Sequence, residues 1–543
     1  MGIPVFFKTL ITDYQHVIEP VDQQTIHNLF FDLNCLIHPS CAKVKDGNED
    51  VMIQTILSDI NKLSQLTGAT FIYIAIDGPA PKAKMMQQRT RRLKSVLEEK
   101  VWDTNAITPG TKFMDRLNDE LHKIYDSNKH IVISDSLEPG EGEHKILQYL
   151  KQHKAVLKNK KNCIYGLDAD LIMLALVSGI NNIVLLRERT SFNIEQMDAE
   201  YLYLKIDALG KEITCSFPGL TKQTVINDYI FICFLLGNDF VKNSPSLNLR
   251  YNGLYHLTDA YKQCQEKHAN KFYLINPKTK GLLHWNNFKE FILLLSQTEN
   301  DRMKDIGSIR LKQHRKYKRI YDDIQRNKDT VMSSNKNKLG YPAEDIMRHK
   351  PIIFMEDEKK IFQSDDWLKP YNTFTLTESH DPCPVNELNK QVNQVCFDYI
   401  QSLVWTSHYY FQECISQEWF YPHEFAPTLH DLNLYLQREK RVKVKPHHKT
   451  YSPLEQLQFV FPYQSYHLCG GLEAVDEENY ITKIDKEYSL LKRYDWECDL
   501  FFQNSTANGL SVFYISYYIT WQSIYISVQG LEKRPNKSNV KDV

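Results

Sequence analysis

Residues 163–168 read CIYGLD, a short apolar run closed by an aspartate. Three runs upstream end the same way: LFFD at 29–32, FIYIAID at 71–77 and IVISD at 131–135. A fifth apolar run spans 182–186. Between the runs lie segments with helix-like spacing of apolar residues, among them 50–66 and 89–99. Strands alternating with helices predict an α/β fold around a largely parallel central sheet flanked by helices.

In such a sheet the C-terminal strand ends share one edge, where open α/β folds place their sites. Asp32, Asp77, Asp135 and Asp168 fall at that edge. Asp170 follows Asp168 at spacing two, so both point the same way if the strand continues. Glu141 and Glu143 repeat the spacing in PGEGEHK, and Asp239 lies in LLGNDF after another apolar run. Any one of these acids reads equally well as a turn or helix-cap residue. Crowded at one edge, they repel and raise each other's pKa unless a cation neutralises them. An all-oxygen donor set suits Mg²⁺, or Mn²⁺. Two such ions side by side are the apparatus of phosphodiester hydrolysis.

Five residues beyond Asp77 begins KAKMMQQRTRRLK. Lys84, Gln88, Arg91 and Arg92 share one face of a helix there. One ammonium, one amide and two guanidinium groups suit a phosphate with several free oxygens; the bland alternative is a solvated basic face.

The whole chain has 543 residues, enough for about three to four domains. Its 66 Lys and Arg against 67 Asp and Glu leave a net charge of −1, which excludes a histone-like basic binder and a strongly acidic disordered chain. With 42% hydrophobic and 12% aromatic residues, sizeable cores can form. The 11 cysteines include no CxxC pair, so neither a disulfide framework nor a structural zinc site is suggested, and a reducing compartment is. The N-terminus lacks a signal-peptide core, which points to the cytoplasm, with the nucleus as alternative. The run Arg310–Arg319 reads as a helix face rather than a nuclear signal. Four regions are expected: 1–255 with the acidic edge and basic helix, 256–350 as a charged helical connector and linker containing SSNKNK at 333–338, 351–503 as an α-rich, aromatic-rich region, and 504–543 as a divergent tail. The uncharged stretch Leu510–Val528 reads as buried strands or a packed tail rather than a membrane anchor, and the residues from Gln529 on as disordered.

The motifs together resemble a known family. MGIPVFF, FFDLNCLIHP, IDGPAPKAKMMQQRTRR, NAITPGTKFM, EPGEGEHKI, CIYGLDADLIMLAL, LLRE and LLGNDF occur in that order, followed by LVWTSHYYF, EWFYPHEFAPTLHDL and SPLEQLQFVFP. They are similar to the catalytic part of XRN-type 5′→3′ exoribonucleases. The resemblance implies a 5′-nuclease, PIN-like core with the second region packed on it. It also implies Mg²⁺-dependent, processive removal of nucleoside 5′-monophosphates from single-stranded RNA bearing a 5′-monophosphate. By matching motif, it puts the metal site at Asp32, Asp77, Glu141, Glu143, Asp168, Asp170 and Asp239. The same matching puts the 5′-phosphate pocket at Lys84, Gln88, Arg91 and Arg92, and a base-stacking pair at His38 and Trp419. Stacking tolerates any base, because each has a π-face. The sequence departs from the family at Cys35, where glycine is usual, and at Gln417, where a second tryptophan is. The stretch Leu93–Ala106 is short, so the family's projecting helix should be trimmed or missing. Two other classes compete: a flap-type DNA nuclease with a similar acidic edge, and a catalytically silent RNA-binding scaffold. No membrane is expected as a partner.

Overall fold

Among the described residues, seven strands form one sheet: β1 (Ile18–Pro20), β2 (Asn28–Asp32), β3 (Phe71–Ala75), β4 (Ile131–Ser134), β5 (Asn162–Tyr165), β6 (Ile183–Glu188) and β7 (Tyr201–Lys205). Their order is β1-β7-β6-β5-β2-β3-β4. The five strands from β2 to β6 run parallel, and β7 and β1 close one edge antiparallel. The computed structural model describes residues 6–21, 26–96, 101–166, 168–189, 199–279, 282–309, 312, 366–376, 384–423, 425–439, 441–461 and 463–469.

β2 is buried along its whole length, as expected of a parallel strand covered on both faces. On one face Leu29 and Phe31 pack with Ile53, Ile56 and Ile60 and with Phe113, Leu117 and Leu121. Those residues recur at helical spacing on α2 (Glu49–Thr67) and α4 (Lys112–Tyr125). The side chains of Asn48 and Thr111 cap the free N–H groups at the starts of these helices, and Gly68 ends α2 with φ +62°, which suits a residue without Cβ. The other helices that build the site are α1 (Asn34–Lys43), α3 (Lys82–Val96), α5 (Gly142–Gln152), α6 (Asp170–Ser178), α7 (Lys222–Phe234), α8 (Val385–Phe411) and α9 (Pro453–Val460). α9 starts in a capping box, Ser452 with Glu455, with Pro453 at its first position.

The expected strands are present, but three stop earlier than the sequence suggested. β3 ends two residues before Asp77, β4 one before Asp135, and β5 three before Asp168. The expectation that Asp168 and Asp170 continue one strand is therefore corrected: Asp170 is the first residue of α6. The cause is local. Arg187 of β6 takes the carbonyls of Gly166 and Asp168 (2.9 and 2.6 Å), which a continuing strand would have given to its neighbour. A Cβ at residue 166 would meet Leu171 Cδ1 at 2.1 Å, so this turn has no room for one.

The chain divides into two compact units. The first draws its described residues from 6–96, 101–297 and 393–469, so that the aromatic segment 393–469 belongs with the sheet. In the second, Trp367 is buried and its indole N–H donates to Asn300 (2.9 Å). The basic run Arg310–Arg319 apart from Lys312, the stretch 333–338, and the tail 504–543 with its uncharged run lie outside the described residues. No helix among the described residues is long and apolar enough to cross a membrane.

One buried carboxylate fastens the segment after α7. Asp228 accepts from Tyr261 Oη (2.5 Å) and from the backbone N–H groups of Leu274 (3.0 Å) and Ile275 (2.7 Å). Asp228→Ala strands these buried donors and should lower unfolding free energy by about 2 kcal/mol or more in a urea titration. Burial pushes the carboxyl up to about 7 against the pull of its donors. A free aspartate titrates near ~4. Folding therefore favours the protonated form, and this contribution is full below about pH 4 and lost as pH rises toward 7. That component of the pH slope should vanish in Asp228→Asn. An unchanged slope would mean another group titrates.

Candidate active site

The parallel register brings the strand-end acids together. Asp32 closes β2 and faces Ala75 of β3, while its neighbour Phe31 faces Tyr165 of β5. Asp77 and Asp168 follow in the loops after β3 and β5. Gly142, the first residue of α5, fits between the first two: a Cβ there would lie 2.7 Å from Asp32 Oδ1 and 3.5 Å from Asp77 Oδ1. Its N–H donates to Asp77 (2.7 Å), and the Asp77 N–H is held by Asn34 (3.0 Å). Glu141 is the residue before α5 and Glu143 lies in its first turn, while Asp170 opens α6. Helix N-termini favour negative charge, so both starts suit acids. Asp239 arrives from the loop after α7.

These seven acids sense one another. Burial pushes Asp32 well up, and the charges of Asp77, Asp168 and Glu141 add to it. Burial and its acidic neighbours also raise Glu143 and Glu141, despite Lys84 beside them. Burial pushes Asp170 up to about 7. For Asp168 and Asp239 burial works in the same direction, but nearby cations, Lys84 and Arg91 among them, outweigh it and hold both below the usual range. Asp135 ends a run like the others, yet it stays apart. It accepts from the N–H groups of Leu137 and Glu138 and pairs with His122, as a turn residue does.

Lys84 belongs to this cluster. It is buried, and its ammonium pairs with Glu141 (2.5 Å) and Asp239 (2.9 Å). Burial disfavours its charge, but Asp239, Glu141 and Glu143 more than compensate and hold its pKa well above the usual lysine value. The other members of the basic face stand on α3: Gln88 is buried, Arg91 is exposed, and Arg92 donates to the Ile107 carbonyl (3.1 Å). Burial and Arg91 pull the Arg92 guanidinium down to about 9, still a cation at neutral pH. His38 lies half-buried on α1, the helix that follows Asp32. Trp419, also half-buried, stacks on Trp405 (5.6 Å between centroids) and donates its indole N–H to Gln401 (3.2 Å). Cys35 donates its thiol to Asp32 (3.1 Å).

Several further residues support the cluster without a sequence motif that marks them. Trp405 stacks on Tyr409 (4.8 Å), Tyr409 lies against His144 (3.7 Å), and its hydroxyl donates to Glu141 (2.6 Å). A ladder of rings thus runs from Trp419 to a carboxylate of the cluster. The neighbouring Tyr410 hydrogen-bonds Asp170. Lys145 donates to the carbonyls of Ile76 (2.8 Å) and Asp135 (2.6 Å), pinning the loop that carries Asp77. Arg187 pins the loop of Asp168 likewise. The strings LVWTSHYYF, EHK and LLRE contain these residues, but nothing in their spacing marks a role.

The donor set suits a hard divalent cation. The buried Lys84 ammonium pairs with two of the carboxylates, Glu141 and Asp239, and Asp170 Oδ1 is a buried acceptor with no hydrogen-bond partner among the described residues. Among the described residues, no three His, Cys, Asp or Glu side chains stand close enough as placed to hold a metal ion together.

Comparison with known proteins agrees with the motif order. The family model described as the XRN 5′-3′ exonuclease N-terminus matches residues 1–100 and 94–189, and that described as the Xrn1 helical domain matches 220–373 and 376–470. A 5′-3′ exoribonuclease 2 homolog of Drosophila melanogaster is 27% identical over 596 residues, covering 85% of this chain and 64% of that protein. The 5′-3′ exoribonuclease 1 of Saccharomyces cerevisiae is 26% identical, covering 86% of this chain and 40% of its own length. The human 5′-3′ exoribonuclease 1 is 27% identical, with 86% and 31% covered. The chain thus spans from about a third to just under two thirds of the length of these relatives.

Proposed function

The chain belongs to the XRN family of 5′-3′ exonucleases, and from that premise we propose that it is a 5′→3′ exoribonuclease of RNA decay. Its substrate is single-stranded RNA with a 5′-monophosphate, and its product is nucleoside 5′-monophosphate. The observation that carries this reading is the gathering of seven carboxylates beside a basic helix face.

Asp32, Asp77, Glu141, Glu143, Asp168, Asp170 and Asp239 are the residues that would hold two divalent cations, Mg²⁺ or Mn²⁺. When bound, such ions activate water and spread the charge building on phosphorus. Lys84 keeps Glu141 and Asp239 apart in charge and fixed in place. Tyr409 and Tyr410 hold Glu141 and Asp170 by their hydroxyls, and Lys145 and Arg187 hold the backbone of the two acid loops. Gln88, Arg91 and Arg92 receive the terminal phosphate, while His38 and Trp419 stack the first bases. Water attacks phosphorus and the 3′-oxygen of the terminal nucleoside leaves, taking a proton. The shortened RNA keeps the phosphate on its new 5′ end, so each product is again a substrate.

Arg91→Ala should erase most of the preference for 5′-monophosphate over 5′-hydroxyl RNA, at a cost of about 1.5–3 kcal/mol in relative kcat/KM. Initial rates on the two RNAs, with matching DNA and an EDTA control, measure it. An unchanged ratio would mean the basic face is only solvated, and equal cleavage of DNA would favour the flap-type alternative.

A further inference from the structure

Gln456, on α9, has no exposed surface and stands against the loop and helix that carry the basic face. Its Oε1 accepts from the backbone N–H of Ala80 (2.7 Å), and its Nε2 donates to Gln88 Oε1 (3.3 Å). The direction of this relay is fixed by chemistry. A backbone N–H can only donate, so Ala80 holds the oxygen of Gln456 toward itself. The other end of that amide is then an NH₂ group, which also only donates. Gln88 must therefore turn its oxygen toward Gln456, which leaves its own NH₂ facing away. Among the described residues the side chain of Gln88 makes no other hydrogen bond.

We propose that Gln456 is a positioning residue for end-group specificity: it polarises Gln88 so that the basic face offers a donor, not a carbonyl oxygen, to the terminal phosphate of RNA. The inference rests on the phosphate-binding role of that face proposed above. An amide free to turn would present either end, and its oxygen repels an anion. With Gln456 in place, Arg91, Arg92 and Gln88 all present hydrogen-bond donors. The same residue ties α9 to α3 and the loop before it, and the Lys82 N–H separately ties the start of α3 to the segment after α8 through the Gln417 carbonyl (2.8 Å). A purely structural role for Gln456 would come from the first tie alone.

The test uses the full chain and initial rates on 5′-monophosphate and 5′-hydroxyl RNA of one sequence. Gln456→Met keeps shape but cannot hold Gln88, and the rate ratio should fall about threefold or more. Gln456→Glu keeps the bond from Ala80. Its ionised form accepts only and turns Gln88 over, while its protonated form still donates. Its ratio should therefore be close to parental at low pH and fall at least about tenfold as the new carboxylate ionises. In a Gln88→Ala background, Gln456→Met should not lower the ratio further. If Gln88→Ala loses the preference while Gln456→Met keeps it, the relay is only glue and the proposal is overturned. If Gln88→Ala itself keeps the preference, the phosphate-binding reading fails and takes the proposal with it. Should the glutamate variant not fold, the methionine variant alone decides between these outcomes.

Discussion

Asp168→Ala or Asp170→Asn should reduce turnover of 5′-monophosphorylated RNA about a thousandfold or more while leaving the protein folded. The loss corresponds to several kcal/mol of transition-state stabilisation, the scale expected when a divalent ion loses a ligand. Stability should hold or rise in Asp170→Asn and fall modestly in Asp168→Ala, whose charge the fold favours. Burial drives both acids out of water, but Asp239 and Asp168 oppose the charge of Asp170, whereas nearby cations, Lys84 and Arg91 among them, favour that of Asp168. Asp170 Oδ1 has no hydrogen-bond partner among the described residues, so the change to an amide breaks no bond to that atom. RNA binding should persist, because Arg91 and Arg92 are untouched and a negative charge has been removed. The measurements are a single-turnover assay with Mg²⁺, a thermal melt and filter binding. Near-parental rates in both variants would sink the two-metal assignment. A collapse of the melting temperature would instead make the acids structural.

A fragment ending at residue 350 should be inactive and should lack a cooperative melt. The sheet and all seven acids lie before that point, and two-metal chemistry by itself does not require a chain end. The fold nevertheless needs the later segment. Trp405, Tyr409, Tyr410, Phe411, Leu457 and Val460 are buried within the same compact unit as the sheet. Tyr410 packs edge-on against Phe234 (5.0 Å), and Trp405 against Phe240 (5.0 Å). At about 1.5–3 kcal/mol for each large buried side chain, removing six is worth roughly 10 kcal/mol, as much as a typical domain's whole stability of about 5–15 kcal/mol. The cut also removes the hydroxyl bond to Glu141 and the Gln456 contact to Ala80. Circular dichroism melts and product ladders on 5′-phosphorylated RNA decide the matter. Stepwise digestion at full rate by the fragment would show that the pocket does not need residues 393–469.

The sequence by itself determined the sheet, because parallel strands buried on both faces must be short apolar runs and the helices between them must carry an apolar stripe. It also placed acids at the sheet edge, since direction along the chain fixes which end of each parallel strand they occupy. It could not tell Asp135 from Asp77. Both close apolar runs, and only tertiary structure shows one capping a turn against His122 and the other held by Gly142 and Asn34. Nor could it see β5 stop at Tyr165, because the group that ends it, Arg187, comes from another strand. Helical spacing put Lys84 on the basic face with Gln88, but the charges that claim its ammonium belong to Glu141 and Asp239. Tyr409 and Gln456 carry no local mark of a role, and both are buried. Their partners lie 268 and 368 residues away, at Glu141 and Gln88. Periodicity reports which face of an element is covered. Which polar group lies on the other side of that cover depends on chain segments brought together only by folding, and no local pattern carries that information.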